Sequence, residues 1–148
     1  MSDIAIRPDG TGFDFGLLEG DLEMDATLET AIWISLFTDR RLPDDQALPP
    51  GVDDRRGCWM DAYPEVPGDA MGSLLWLLAY EKWSEPARQK AEAWAREALQ
   101  WLLDDGVAEA VDVVATLPRP LMLGLAVAIT DPAGRVSACQ TTAPWPAA

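Results

Sequence analysis

Histidine is absent from the 148-residue chain, which removes the commonest general base and the commonest transition-metal ligand at neutral pH. Triad hydrolysis and histidine-based zinc chemistry therefore have no residue to work with. Cysteine is scarce: Cys58 and Cys139 stand alone, without the CxxC spacing of a zinc site or a thioredoxin-type motif. Free thiols in a reducing compartment follow. Basic residues number 11 against 25 acidic ones, a formal net charge of -14, so phosphate backbones and anionic lipid are both repelled. Nucleic acid and membrane are excluded as partners on this ground. Long apolar runs are missing too, since Leu121 to Ile129 falls far short of the roughly 18 residues that span a bilayer. Met1 to Gly10 carries Asp3, Arg7 and Asp9 and does not resemble an export signal. Phosphate cradles are lacking as well, because Gly10-Thr11-Gly12 runs into Phe13-Asp14-Phe15 rather than a third glycine and a helix.

What remains is an ordinary globular composition, 49 % hydrophobic and 24 % charged. A chain of this length buries about two thirds of its unfolded surface, enough for one core. The sequence predicts an α+β fold in a single domain over residues 1–148. An extended arm, 1–26, is broken by Gly10, Gly12, Gly16 and Gly20 and carries one or two short strands or turns. Leu28, Ala31, Ile32, Ser35 and Leu36 then fall at helical spacing, with Asp25 or Thr27 as N-cap, predicting a helix over about 27–38. Pro43, Pro49, Pro50 and Gly51 make 39–68 a long surface loop. The all-round apolar run Met71 to Leu78 predicts a buried helix over about 70–82. Ser84 caps a third helix, about 86–105, whose apolar face is Ala87, Ala91, Trp94, Ala98, Trp101 and Leu102 and whose end is Gly106. Beyond it the period drops to two. Three strands over about 107–141 form an antiparallel meander, followed by a proline-rich tail, 142–148, expected to be exposed or bound to a partner.

Carboxylates are the one catalytic group in quantity, and a glycosidase needs two across a cleft, one with a raised pKa. Glu81 and Asp61, beside aromatics, are the pair for an alternative reading as a peptidoglycan-cleaving glycosidase. With 25 acidic residues some pair always looks suggestive, so solvated surface roles account for them better, and no catalytic, cofactor or metal-binding residue is assigned. Trp33, Trp76, Trp94 and Trp101 suit helical core faces, whereas Trp59 and Trp145 sit in loop and tail, where an amphipathic ring often anchors a partner. Arg40-Arg41 and Arg55-Arg56 flank the same loop and suit carboxylates, in this chain or on a neighbour. Arg40, Arg41, Arg55, Arg56, Trp59, Glu81 and Trp145 are the candidate partner-binding residues.

Several segments, in order, resemble a known family. They are Leu28-Glu29-Thr30-Ala31, Ser35 to Arg41, Asp54-Arg55-Arg56-Gly57-Cys58-Trp59, Gly72-Ser73-Leu74-Leu75-Trp76-Leu77-Leu78, and Ala95 to Leu102 with Asp105-Gly106-Val107-Ala108. Together, over about 20–130, they resemble the Mu-like phage tail baseplate protein family, itself similar to the sheath-initiator or "lysozyme-like" wedge proteins of contractile tails. The resemblance implies a non-enzymatic protein of the virion tail baseplate, assembled in the host cytoplasm, six copies per particle. Its implied partners are a baseplate wedge protein, the tail sheath protein and central spike or tube proteins. An edge of the C-terminal sheet is then the docking rail, since neighbouring sheath subunits exchange strands. A third reading, an adaptor for a host factor, is distinguished by gene neighbours that are not tail genes.

Overall fold

The computed structural model describes residues 28–57 and 71–146 in full and, among the first 27, the backbone of the strands between Asp3 and Asp25. The α+β class is borne out. Six strands, β1 (Asp3–Ile4), β2 (Ile6–Pro8), β3 (Phe13–Phe15), β4 (Leu17–Leu18), β5 (Asp21–Leu22) and β6 (Met24–Asp25), open the chain. They pair antiparallel as β1 with β6, β2 with β3 and β4 with β5, more strand than the expected arm.

Helix α1 spans Glu29–Phe37, inside the predicted 27–38, with Leu28 at its N-cap instead of Asp25 or Thr27. It buries Ile32, Trp33 and Leu36 in the main core. The segment predicted as a helix over 70–82 is shorter and tighter, a 3-10 helix at Leu75–Tyr80. Backbone pairing explains the difference. Ser73 N–H donates to Thr38 O and Arg40 N–H to Ser73 O, both at 2.9 Å, which holds Ser73 in a bridge to the loop and delays the helix start. The three-residue period then sorts the side chains. Leu75 and Leu78 face the main core, while Leu74 and Leu77 join Trp76 and Leu42 in a second cluster under the loop.

The helix predicted over 86–105 is interrupted at Leu99 into α2 (Glu85–Ala98) and α3 (Gln100–Asp104). Ser84 caps α2 as expected, its hydroxyl accepting from Ala87 N–H at 3.4 Å, and Gly106 follows α3 with φ +71°. The buried face of α2 is Ala87, Ala91, Ala95 and Ala98, all small, with Trp94 only half-buried. Small side chains bring the helix axis close to the sheet. That sheet is the expected meander, order β7-β8-β9, with β7 at Ala110–Thr116, β8 at Met122–Thr130 and β9 at Val136–Pro144. Leu123, Leu125, Val127 and Ile129 of β8 and Val113 and Ala115 of β7 turn into the main core.

The tail departs from expectation. Thr142, Ala143 and Pro144 belong to β9, paired with Gly124, Leu123 and Met122, and Pro144 is tolerated because β9 is an edge strand. Trp145 continues the register, its N–H donating to Leu121 O at 2.8 Å.

Candidate functional site

The carboxylates do not assemble into a cleft among the described residues. Glu81 forms an ion pair with Lys90 and its carbonyl accepts from the Trp145 indole N–H at 3.2 Å; Asp61 lies outside the described residues. Every described carboxyl with a displaced pKa moves downward: hydrogen bonding lowers Glu85 through Arg88, Glu92 through the Ala115 N–H and Asp131 through the Arg135 N–H. A general acid needs the opposite shift. No group of three or more Cys, Asp or Glu among the described residues is placed to hold a metal, and none of the helices there is long and apolar enough to cross a membrane.

The four loop arginines converge on their own chain. Arg55 donates to Pro43 O at 2.8 Å and to Gln46 O at 2.9 Å, and Leu42 N–H returns a bond to Arg55 O. Arg56 pairs with Asp39 at 2.8 Å, and its guanidinium lies 4.9 Å from the centre of the Trp76 ring. Hydrogen bonding to Asp39 raises the Arg56 pKa further. Arg41 pairs with Asp44 at 2.9 Å, and Arg40 with Glu97 at 3.4 Å. Trp76, almost fully buried, ties the same loop down by donating its indole N–H to Arg40 O at 2.8 Å. These contacts fix the shape of residues 39–57. Trp59, the other loop residue singled out from the sequence, lies outside the described residues. Trp145 packs half-buried against the main core.

The two edges of the sheet are unlike. Along β7, the backbone groups that point away from β8 meet side chains of α2: Arg88 donates to Ala115 O at 3.0 Å, Arg96 to Val113 O at 3.0 Å, and Ala115 N–H donates to Glu92 at 3.1 Å. Glu92 also pairs with both arginines at 3.1 Å. A carboxylate between two guanidiniums thus stands where a fourth strand would stand. In the sequence these three residues are charged positions off the apolar face of the helix predicted over 86–105. Their spacing of four, Arg88-Glu92-Arg96, was visible, but that the face lies along a strand edge was not.

On β9 no such cover exists among the described residues. Asp131 N–H donates to Arg135 O and Trp145 N–H to Leu121 O, which brackets the β8–β9 ladder with bonded pairs. Bonded pairs alternate along an antiparallel ladder. Ser137, Cys139, Thr141 and Ala143 therefore bond to β8, while Val136, Ala138, Gln140 and Thr142 aim their N–H and C=O groups outward. Cys139 is half-buried on the core side, and burial pushes its thiol up to about 11, so it is a weak nucleophile.

Glu92 gives a pH test of the β7 cover. Its folded pKa lies below the ordinary value, so its stabilisation is present above the unfolded pKa and lost as pH falls through the folded one. In Glu92→Gln the amide still accepts from Ala115 but no longer pairs as an anion. Thermal midpoints should place the variant below wild type near pH 7, with the gap closing as pH falls below the ordinary carboxylate range. An equal gap at both ends would remove the ionic role of Glu92.

Comparison with known proteins follows the same line. Residues 28–136 match the family described as phage protein GP46. The baseplate protein gp46 of Escherichia phage Mu is 41 % identical over 136 residues, covering 92 % of each chain. The Mu-like prophage FluMu protein gp46 of Haemophilus influenzae is 37 % identical over 145 residues, covering 98 % of each. The matched family region takes in α1, the braced loop, the 3-10 helix, α2, α3 and the sheet as far as the start of β9, and the relatives extend over nearly the whole length; this chain belongs to the phage protein GP46 family.

Proposed function

We propose that this chain is a structural component of a contractile phage tail baseplate, acting by docking rather than by catalysis. In this reading it engages the baseplate wedge protein and the tail sheath protein, sits near central spike or tube proteins, and starts sheath assembly, in a virion tail put together in the host cytoplasm. The similarity to a baseplate protein of phage Mu supports the setting.

The observation that carries the docking mode is the one-sided sheet. An exposed strand edge is a template for another strand and is normally blunted. Here α2 covers β7 with Arg88, Glu92 and Arg96, while β9 keeps its outward groups from Val136 to Thr142. Strand addition at β9 is the resulting mode, with backbone bonds supplying affinity and alternate side chains supplying specificity. Arg40, Arg41, Arg55 and Arg56 hold residues 39–57 in shape, and in this reading the loop, with Trp59 as anchor, is the second contact, for the wedge protein. Glu81 and Trp145 hold the far end of β9 in place.

Gln140→Pro tests the rail. The lost N–H is an outward one, so the β8–β9 ladder keeps its bonds, while an incoming strand loses a donor and meets the proline ring. Co-expressed with the wedge and sheath proteins of the same phage, wild type should co-elute with at least one of them in size-exclusion chromatography with light scattering. Gln140→Pro should weaken that association tenfold or more at a nearly unchanged melting temperature. Full retention of binding would rule out the β9 edge.

A further inference from the structure

Beside the far end of β9 lies a cleft of about 170 Å³, lined by Phe37 of α1, Leu75 and Trp76 of the 3-10 helix, Leu123 of β8, and Ala143 and Pro144 of β9. An apolar cavity of about 150 Å³ accepts a benzene-sized group. The charged residues among its lining are Asp39 and Arg56, and they neutralise each other at 2.8 Å. An apolar side chain entering here meets little net charge.

The cleft sits where the open edge ends. Outward N–H groups run along β9 as far as Thr142, and the next outward position is Pro144, which has none. A strand added to β9 loses its ladder at that point. Pro144 and Pro146 both line the cleft, so the residue that leaves the ladder passes its mouth.

The geometry points to this cleft as the anchor pocket for one large apolar side chain, aliphatic or aromatic, at the end of an extended partner segment paired with β9. The inference rests on the β9 reading above and adds what fixes the register of the added strand. Backbone pairing alone is poorly specified along an edge, because slipping by two residues restores every bond. A single pocket at one end removes that degeneracy. The occupant is an extended segment because only a strand answers alternating outward N–H and C=O groups. It is neutral or basic because a chain of net charge -14 repels an acidic segment and a second copy of itself.

Ala79 also lines the cleft and is half-buried, so Ala79→Trp fills it from the rim. Full-length wild type, Ala79→Trp and Gln140→Pro are each mixed with the sheath protein and, separately, the wedge protein of the same phage, and affinity and melting temperature are measured. Ala79→Trp should weaken binding at least tenfold with melting unchanged. A second arm does not crowd the cleft: benzoylphenylalanine in place of Pro146, irradiated in the complex, should crosslink to one apolar residue at the end of the partner's extended segment. If Gln140→Pro abolishes binding and Ala79→Trp leaves it intact, the anchor is overturned and the edge reading stands. Crosslinks that scatter, or that are absent from a complex that does form, overturn the anchor as well. Binding indifferent to Gln140→Pro, or no complex with either protein, overturns both.

Discussion

Gly72→Ala is expected to lower stability by about 3 kcal/mol or more, a fall in melting temperature of about 6–12 °C for a chain of this size. Gly72 has φ +98°, and a Cβ there would lie 2.2 Å from Thr38 O and 2.8 Å from its carbonyl carbon. Neither atom is free to move, because Thr38 O already accepts from Ser73 N–H and Arg40 N–H reaches back to Ser73 O. The alanine therefore carries a disfavoured backbone conformation and also prises apart the bridge that fixes the start of the 3-10 helix. Ser73, whose buried hydroxyl donates to Leu36 O and accepts from Leu75 N–H, shifts with it. Denaturant unfolding gives the number, and a change below about 1 kcal/mol would refute the close approach.

Trp76→Ala is expected to cost about 3–5 kcal/mol, the usual range for removing a buried tryptophan. The ring is 5 % exposed, packs with Leu42, Leu74 and Leu77, meets Tyr80 edge-on at 6.5 Å and lies under the Arg56 guanidinium. Loss of the ring and of the bond to Arg40 O frees the loop from both its apolar and its polar anchor. Trypsin provides a direct readout, since Arg40, Arg41, Arg55 and Arg56 are all cleavage sites held in ordered backbone. Cleavage there should be slow in wild type and fast in Trp76→Ala. Trp76→Phe keeps most of the packing and gives up the indole bond, for about 1 kcal/mol. Equal proteolysis of all three proteins would show that Trp76 does not hold the loop.

Much of the fold was legible because periodicity reports burial. The meander followed from the drop to period two after Gly106. The turn between β8 and β9 is built by Asp131, whose carboxylate accepts from the Ala133 and Arg135 N–H groups at 2.9 Å. The N-cap Ser84 and the terminating Gly106 marked the ends of the α2 and α3 region correctly. The 3-10 helix was misread as a longer helix because a run apolar on every side has no period to measure. What shortens it, the bridge between Ser73 and the loop, is a contact across more than thirty residues and leaves no local trace. The run of β9 past residue 141, as far as Pro144, was missed for a separate reason. Proline argues against a sheet interior, but the third strand of a meander is an edge, where proline is tolerated and pairing can run on into the tail.

The candidate site was less legible. The arginine pairs were conspicuous, and their roles as loop braces fit the alternative weighed from the sequence, pairing within this chain. The cover over β7 was invisible, because it depends on α2 lying along one particular strand, which small alanines at 87, 91, 95 and 98 permit.

The clamp at Trp145 has a mechanical consequence. An edge strand detaches most readily from one of its ends, where each broken bond exposes the next. Here the far end of β9 is riveted: the backbone of Trp145 is bonded to Leu121 and its indole to Glu81. Tension along β9 is then carried by all its bonds to β8 in shear rather than by the last one in peeling, and passes through β7 and the Arg88-Glu92-Arg96 row into α2. A pull on β9 therefore meets the whole sheet and the helix behind it rather than a single terminal bond.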